Sequence, residues 1–533
     1  MFFKTAACAL ALAVTSLNAT AQIETDSMGD ISAWGTRYMK SGEKEFPTRL
    51  WNGSDEDVLL DLMKSVRTQK LTPAERTLLR RVVLSPTQRP SGKNAEALLA
   101  ERARLMLALG EARAAAALAP KLKQDARGLD AQTLAIDLDM ASGNEASACR
   151  RLSGPVPEGE YWLKLRAVCA VLQENFSGAE LAVEVATAQG LTDPWFLEAI
   201  FAASGDVPNP PFARFDTGLN IALSSKANLD TQRVTLSSSR PDLAAAAASR
   251  RGVPNELRAR FAQIAGEIDL ITPEERRGIL LARLKDEDYT ASSAIEQALE
   301  LMANPTASPR QQAERLNSIL ETASRADMAR FGGTSRLFLA DLKRLPKARD
   351  TAPYAKMFTL AAMAAGDSQT ARAWLGATEF EGMANKPDPF EIAALEALDL
   401  ILGGDDSPAS QRAIQTRLIE AAKPPRLKRE AARILTLWTG FGHPLSQDGR
   451  ALLASEKSQG KRIDPYTLLA IDAASRSGAI GETALMILDA IDGEPEALNP
   501  ADTAALIAAL RRIDAEDVAS ALALEATAFW KKG

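Results

Sequence analysis

Two cysteines are the residues of this chain whose type and position most directly suggest chemistry. Cys149 and Cys169 flank a turn that contains Pro155 and Pro157, while a third cysteine, Cys8, lies in the apolar N-terminal stretch. An even pair of cysteines in an exported protein indicates a disulfide, with two buried free thiols or a metal site as alternatives. A metal site would need further ligands, and the single histidine is far away in sequence. We therefore predict a structural disulfide within one helical hairpin.

The groups that could support acid–base or metal chemistry are each better explained as turns. His443 stands between a glycine and a proline, a setting typical of a loop between helices. The acidic runs Asp286–Asp288 and Asp405–Asp406 could bind a cation, but they lack the spaced ladder of oxygen ligands that calcium loops use. Acidic residues at such positions commonly stabilise the N-terminus of the next helix. We expect no catalytic residue, no metal ligand and no cofactor.

The charge of the chain gives little indication of a polyanionic partner. The net charge is −6 over 533 residues, whereas nucleic-acid binding requires a basic surface. One basic run, Lys423–Arg429, could meet an anionic surface, although such a run is more often the solvated start of a helix after a Pro-Pro turn. We expect no nucleic acid among the partners.

The N-terminus has the three parts of a secretory signal peptide. A short positive region, Met1–Lys4, precedes an apolar run, and Ala19-Thr20-Ala21 then fits the small-x-small rule for cleavage before Gln22. The apolar run is too short to span a bilayer. Cys8 has too few residues before it to be a lipoprotein cysteine. We predict cleavage after Ala21, export to the periplasm of a Gram-negative bacterium, and no transmembrane segment in the mature chain.

The elements that would position these groups follow a recurring pattern between residues 94 and 205. A turn residue is followed five positions later by alanine and nine positions later by an apolar residue. The period of roughly 31–33 residues suits two antiparallel helices with two turns. The three occurrences are Gly110 with Ala115 and Ala119, Gly143 with Ala148 and Leu152, and Glu174 with Ala179 and Val183.

A second device, an Asp-Pro-aromatic tripeptide, occurs three times, each time with a glycine 12 to 15 residues further on. The aspartate can cap the free amides of a helix, proline needs no amide at the first helical position, and the aromatic ring can pack on a neighbouring element. Three ordinary caps are the alternative to one reused helical unit. The tripeptides are Asp193-Pro194-Trp195, Asp388-Pro389-Phe390 and Asp464-Pro465-Tyr466, and the glycines are Gly205, Gly403 and Gly478.

The turn–Ala–apolar pattern resembles tetratricopeptide repeats over residues 94–205, with one further match at Gly366–Leu375. The Trp, Gly-Tyr and Pro positions of the full consensus are missing. The layout is also similar to uncharacterised secreted helical proteins of alphaproteobacteria. The resemblance implies stacked antiparallel helices with a concave binding face. It implies no particular reaction and identifies no site residue. We predict an all-α fold, a right-handed α-solenoid of antiparallel helix pairs.

From these features we expect a non-enzymatic scaffold or adaptor of the cell envelope that binds proteins or peptides on a solenoid surface. The alternative is a peptidoglycan-acting enzyme or its accessory factor, because exported helical superhelices occur fused to lysozyme-like domains. Alanine-rich helices run to the end of the chain without a compositional break that would house such a domain. Oligomeric state is left open.

The predicted divisions are 1–21 (signal peptide), 22–92 (lead-in and first helices), 93–205 (repeats with the cysteine pair), 206–345 (middle helical region) and 346–533 (C-terminal repeats).

Overall fold

Helices make up almost all of the regular structure that the computed structural model describes. The described residues are 33–123, 126, 129–154, 157–205, 207–234, 240–285, 289–380, 386–527 and 529–531. The predicted signal peptide, its cleavage site and the acidic run Asp286–Asp288 lie outside these ranges. The described part contains no β-strand and one isolated parallel bridge, between Lys461 and Leu498. The all-α class is therefore confirmed for the described residues.

The described residues form 26 α-helices and four short 3-10 segments. The 3-10 segments are Ala119–Lys121, Arg151–Ser153, Ala352–Tyr354 and Pro495–Ala497. In chain order the helices are α1 (Glu56–Ser65), α2 (Pro73–Leu84), α3 (Ala95–Ala108), α4 (Ala112–Leu118), α5 (Leu134–Ala141), α6 (Glu145–Arg150), α7 (Glu160–Leu172), α8 (Phe176–Ala188), α9 (Pro194–Ser204), α10 (Gly218–Lys226), α11 (Pro241–Ser249), α12 (Asn255–Glu267), α13 (Pro273–Arg283), α14 (Ala294–Ala303), α15 (Pro309–Ala326), α16 (Met328–Arg344), α17 (Ala355–Ala364), α18 (Ser368–Ala377), α19 (Pro389–Ile401), α20 (Pro408–Ala421), α21 (Pro425–Gly440), α22 (Gln447–Ser455), α23 (Pro465–Ser477), α24 (Ile480–Ile491), α25 (Pro500–Arg512) and α26 (Glu516–Thr527). None of these helices combines the length and the apolar character that a membrane crossing requires.

The turns between paired helices follow the recurring sequence pattern. Gly110, Gly143, Glu174 and Gly366 all have positive φ, between 60° and 85°. At each turn the next amide donates to a carbonyl five residues earlier, at 2.8–2.9 Å, which satisfies the end of the preceding helix. The alanine five positions after the turn residue is at most 1% exposed in every case. The small side chain therefore lets the second helix of each pair approach its neighbours closely.

The buried apolar side chains form two hydrophobic clusters. The large cluster draws its members from Trp34–Leu138 and from Ala259–Trp530, and the small cluster from Ile136–Ile271. Helices α5 and α12 contribute residues to both clusters, so they lie between them. The divisions at 92, 205 and 345 stay predictions.

The N-terminal residues 33–55 carry no helix, yet they pack on the large cluster through Trp34 and Phe46, each 3% exposed. One buried arginine of α3 holds this segment in place. Arg102 donates to the carbonyls of Trp34, Val83 and Ser85, at 3.3, 2.7 and 2.7 Å. Its guanidinium also lies over the Trp34 ring, 5.7 Å from the centroid. Burial lowers the pKa of Arg102 to about 10, so the group remains a cation at neutral pH.

The first and last helices of the chain contact each other, which the sequence pattern does not indicate. Helices α1 and α2 pack against α24 and α26. Several polar contacts join these segments, including the ion pair of Arg67 with Asp492, and we call four of the others the terminal junction. They are Gly481 N to Leu50 O (2.9 Å), Gly493 N to Glu75 Oε1 (3.0 Å), Ala74 N to Glu525 Oε1 (2.9 Å) and Arg81 Nη1 to Asp517 Oδ1 (3.0 Å). The right-handed solenoid arrangement stays a prediction.

The start of α1 corrects one detail of the sequence interpretation. The sequence Ser54-Asp55-Glu56-Asp57 predicts Ser54 as the helix cap, but Asp55 takes this role and accepts from the amides of Asp57 and Val58. A threonine followed by proline also predicts helix caps at Thr72 and Thr272. Both caps are present, each as a capping box with a glutamate three residues later.

Candidate functional site

The predicted disulfide is present and joins α6 to α7. Cys149 and Cys169 are bonded with their Cα atoms 5.7 Å apart, within the range that a disulfide requires. Cys169 is 3% exposed and lies in the small cluster, on the same helix as the buried Trp162 and Leu165. The bond therefore fixes the short helix α6 to the core of the small cluster, a structural role.

The three Asp-Pro-aromatic tripeptides all begin helices, with the aspartate as the cap and proline at the first position. Asp193 accepts from the amide of Phe196, Asp388 from that of Glu391 and Asp464 from that of Tyr466, at 3.3, 2.8 and 2.9 Å. Gly205 and Gly478 are the left-handed C-caps of α9 and α23, and Gly403 follows α19 with a φ of 87°.

The aromatic residues of the three tripeptides do not share one environment. Trp195 is buried and donates from its ring nitrogen to the carbonyl of Phe212 at 2.7 Å, and Phe390 is buried in the large cluster. Tyr466 is instead 82% exposed, beside the exposed Leu469. The expectation that Tyr466 packs on a neighbour was wrong, because no described element covers that face of α23.

His443 is held by packing. Its ring lies 6.3 Å from that of Phe441 and 5.8 Å from that of Trp438, centroid to centroid, and its Nδ1 is 3.3 Å from the amide nitrogen of Gln411. Burial, with the nearby Arg511, lowers the pKa of His443, so the imidazole is neutral at neutral pH. Asp405 accepts from the amide of Ser407 in the turn before α20. Among the described residues, no cluster of three metal-ligating side chains is found.

A cavity of about 1040 Å³ lies near the C-terminus, and we call it the C-terminal groove. Residues of α17, α19, α21, α22 and α25 line it, together with residues after α26. A second cavity of about 370 Å³ shares lining residues with it and extends it towards α15. The residues shared by the two cavities are Lys356, Glu391, Phe529 and Lys531.

Two separate sequence features meet at this groove. Asp388 and Phe390, of the second Asp-Pro-aromatic tripeptide, line one side, and Arg426 and Arg429, of the basic run, line the other. Glu391 completes the cap of α19 and also pairs with Lys356 across the groove wall. Part of the basic run therefore lines a cavity, while its charged side chains stay exposed at the start of α21 after the Pro-Pro turn. The cysteine pair and the other two tripeptides lie outside the lining of the groove.

The base of the groove is held by Arg433, which sequence reasoning missed. Its guanidinium donates to the carbonyls of Glu496 (3.0 Å), Leu498 (3.3 Å) and Ala526. Burial lowers the pKa of Arg433, as expected for a half-buried cation whose partners are neutral carbonyls. The signal in the sequence is an arginine within the apolar stretch Ala431–Leu435 of an amphipathic helix.

The lining of the groove combines an apolar surface with an excess of basic groups. Leu427, Leu453 and Phe529 are partly exposed in it, and Lys356 lies over the Phe529 ring, 5.4 Å from the centroid. Six basic side chains face four acidic ones, which gives the lining a positive balance. The basic residues are Lys356, Arg426, Arg429, Arg433, Lys457 and Lys531, and the acidic residues are Asp388, Glu391, Glu430 and Glu456.

Over the described residues, the fold and the groove define an all-helical structure with one disulfide and a positively balanced groove near the C-terminus. The chain matches no protein-family model, and comparisons with curated proteins and with solved structures likewise give no match.

Proposed function

We propose that this protein is a non-enzymatic scaffold or adaptor of the cell envelope that binds protein or peptide partners on a surface of its helical array. In this proposal residues 1–21 direct export to the periplasm and are removed. The helix pairs form a right-handed, tetratricopeptide-like superhelix. The C-terminal groove is the partner site.

The observation that carries the proposal is the makeup of the groove. Its volume of about 1040 Å³ lies just above the range of roughly 300–1,000 Å³ found for small-molecule pockets. Partly exposed apolar side chains lie between charged ones, a combination that suits a peptide better than a compact polar metabolite. The disulfide supports export, because such bonds persist in oxidising compartments.

Proximity labelling from intact cells tests the scaffold proposal. The full chain, fused at its C-terminus to a labelling enzyme, should mark a reproducible set of envelope proteins that the exported labelling enzyme alone does not mark. The same cells should yield a mature protein that begins at Gln22 in the periplasmic fraction. A cytoplasmic protein with its N-terminal residues intact would contradict the export part of the proposal.

Incubation of the purified protein with peptidoglycan tests the enzymatic alternative. We expect no release of soluble muropeptides above that of a heat-inactivated sample. Reproducible release that scales with protein concentration would reject the non-enzymatic scaffold.

A further inference from the structure

We propose that the C-terminal groove binds an extended acidic segment of a partner protein, with carboxylates at the basic rim and apolar side chains on the groove surface. This inference rests on the proposed function and names the chemistry of the partner. The occupant is a peptide in which acidic and apolar residues alternate closely.

The charges of the rim point to carboxylates on the ligand. Arg426 already pairs with Glu430, Lys356 with Glu391, and Lys531 with Glu496. Arg429 and Lys457 are exposed, line the groove, and form no ion pair within 4 Å among the described residues. An arginine guanidinium can hold a carboxylate by two parallel hydrogen bonds, and a lysine ammonium can bind a second carboxylate as a point charge.

The half-buried Arg433 adds to this field from the base of the groove. Its hydrogen bonds go to backbone carbonyls, and it forms no ion pair within 4 Å among the described residues, so the nearby Glu430 and Glu496 offset only part of its charge. A cation that is partly shielded from water acts over a longer distance than an exposed one. Arg429, Arg433 and Lys457 therefore favour an anionic ligand.

The apolar lining and the acidic side chains of the rim favour a peptide over a continuous polyanion. Leu427, Leu453 and Phe529 offer contacts that a phosphate or sugar-phosphate backbone would not use. Glu430 and Glu456 would repel the closely spaced phosphates of a polyanion. A peptide avoids this repulsion, because its carboxylates can lie opposite the cations and its uncharged residues opposite the two glutamates. An extended peptide also alternates its side chains between two faces, so acidic and apolar groups can meet different parts of one groove.

Fluorescence anisotropy of short labelled peptides tests this inference with the purified mature protein at physiological salt. A peptide that alternates Glu with Leu should bind, the matched Gln/Leu peptide should bind at least about tenfold more weakly, and a Lys/Leu peptide should show no saturable binding. Equal affinity for the Glu/Leu and Gln/Leu peptides would overturn the proposal. So would equal affinity for oligoglutamate without leucine, which would indicate non-specific attraction of a polyanion.

Charge-reversal variants at the rim test whether the peptide binds in the C-terminal groove. In the double variant Arg429→Glu/Lys457→Glu, affinity for the Glu/Leu peptide should fall at least about tenfold. The matched control is Lys428→Glu, because Lys428 is an exposed neighbour on α21 that does not line the groove. The control should retain the affinity, and all proteins should give the same circular dichroism spectrum. Unchanged binding in the double variant would overturn the assignment to this groove.

Proximity labelling with the double variant separates this inference from the proposed function. Loss of the marked envelope proteins in the double variant, but not in Lys428→Glu, supports both. If the same partners are marked in wild type and double variant, the groove inference fails while the scaffold function stands. If no partner is marked reproducibly in wild type, the scaffold function itself fails.

Discussion

The large and small hydrophobic clusters are held together in different ways. In the large cluster, buried carboxylates of Glu75 and Glu525 accept backbone amides from the opposite end of the chain, across 418 and 451 residues of sequence. In the small cluster, the disulfide joins residues only 20 apart, on consecutive helices. The large cluster therefore depends on contacts between the two ends of the chain, whereas the small cluster is reinforced by a bond between two consecutive helices.

This difference indicates how each region should respond to perturbation. A disulfide acts mainly by restricting the unfolded chain within its own loop, so its removal should loosen its surroundings first. The terminal junction forms only when both ends of the chain are folded, and its contacts stabilise the large cluster as a whole. Helices α5 and α12, which contribute to both clusters, are where the two responses can couple.

The largest expected effect is on the large cluster, from Arg102→Ala. Truncation removes a buried donor from three carbonyls, of which only that of Trp34 keeps another donor, the amide of Thr87, and it opens a cavity beside Trp34. The free energy of unfolding should therefore fall by about 3–5 kcal/mol. Denaturant unfolding measures this change. The control is Arg113→Ala, an exposed arginine on the next helix, which should change stability by no more than about 0.5 kcal/mol. Equal losses in the two variants would show that Arg102 does not hold the N-terminal segment.

Removal of the disulfide should come next, and its effect should be local. In Cys149→Ser/Cys169→Ser the stability of the small cluster should fall by about 3 kcal/mol, as expected for a loop of this length. Hydrogen exchange read by mass spectrometry should show faster exchange in α6 and α7, with α17 to α21 unchanged. Wild-type protein treated with a reductant should behave like the double variant. Equal acceleration in both clusters would contradict the independence of the two regions, and free thiols in protein isolated from the envelope would contradict the bond itself.

The terminal junction should make stability depend on pH. Burial raises the pKa of Glu525 to about 8, although the amide of Ala74 donates to this carboxyl, and burial raises the pKa of Glu75 as well. A raised pKa means that the folded state binds the proton more tightly than the unfolded state does. The stabilisation from protonated Glu525 is therefore complete below the unfolded pKa near 4.5 and is lost as pH rises towards 8. Between pH 5 and pH 7 the Glu525 contribution should fall by about 2 kcal/mol.

Glu525→Gln isolates that contribution, because glutamine keeps an oxygen for the amide of Ala74 but cannot ionise. The melting temperature of the variant should fall less than that of wild type between pH 5 and pH 7. Glu516→Gln, at the exposed start of the same helix, should leave the wild-type slope unchanged. Parallel curves for Glu525→Gln and wild type would show that the carboxyl of Glu525 does not respond to its burial.

Features with a local cause could be predicted from the sequence. The capping boxes at Thr72 and Thr272 depend on residues three apart, and the turns at Gly110 and Gly366 need only a left-handed backbone. The helices between residues 94 and 205 follow for the same reason. The disulfide could be predicted because two cysteines flank a single turn.

Features that join distant segments could not be predicted in the same way. No periodic sequence pattern predicts the hydrogen bond from the amide of Ala74 to Glu525, because this bond depends on how the intervening chain folds. The groove is likewise assembled from α17, α19, α21 and the C-terminal residues. For Glu525 the available signal is a single charged residue inside the apolar stretch Leu522–Ala526, whereas Arg102 has Glu101 and Arg104 close by in sequence and carries no such signal. Such a residue identifies a buried polar contact without naming its partner.

The smallest expected effects test whether the two clusters share one helical-hairpin turn. A Cβ added at Gly366 would meet no atom within 4 Å, so only the backbone conformation, with φ at +76°, opposes Gly366→Ala. Left-handed backbone costs an L-residue about 1–2 kcal/mol, and alanine regains part of this by restricting the unfolded chain, so the net loss should be about 1 kcal/mol. Gly143 of the small cluster has φ at +82° and only ordinary contact with Arg250, so Gly143→Ala should give the same loss.

Gly376→Ala is the matched control for both turn variants. Gly376 lies on α18, in the hairpin that Gly366 begins, and an added Cβ would also meet no atom within 4 Å, but its backbone is helical. Alanine there should stabilise the protein by about 0.5–1 kcal/mol, because it favours helix and restricts the unfolded chain. Thermal unfolding should therefore move in opposite directions for Gly366→Ala and Gly376→Ala. If Gly143→Ala instead stabilises the protein, as expected for Gly376→Ala, the turn of the small cluster does not depend on a left-handed residue. The helical-hairpin turn would then be a feature of the large cluster alone.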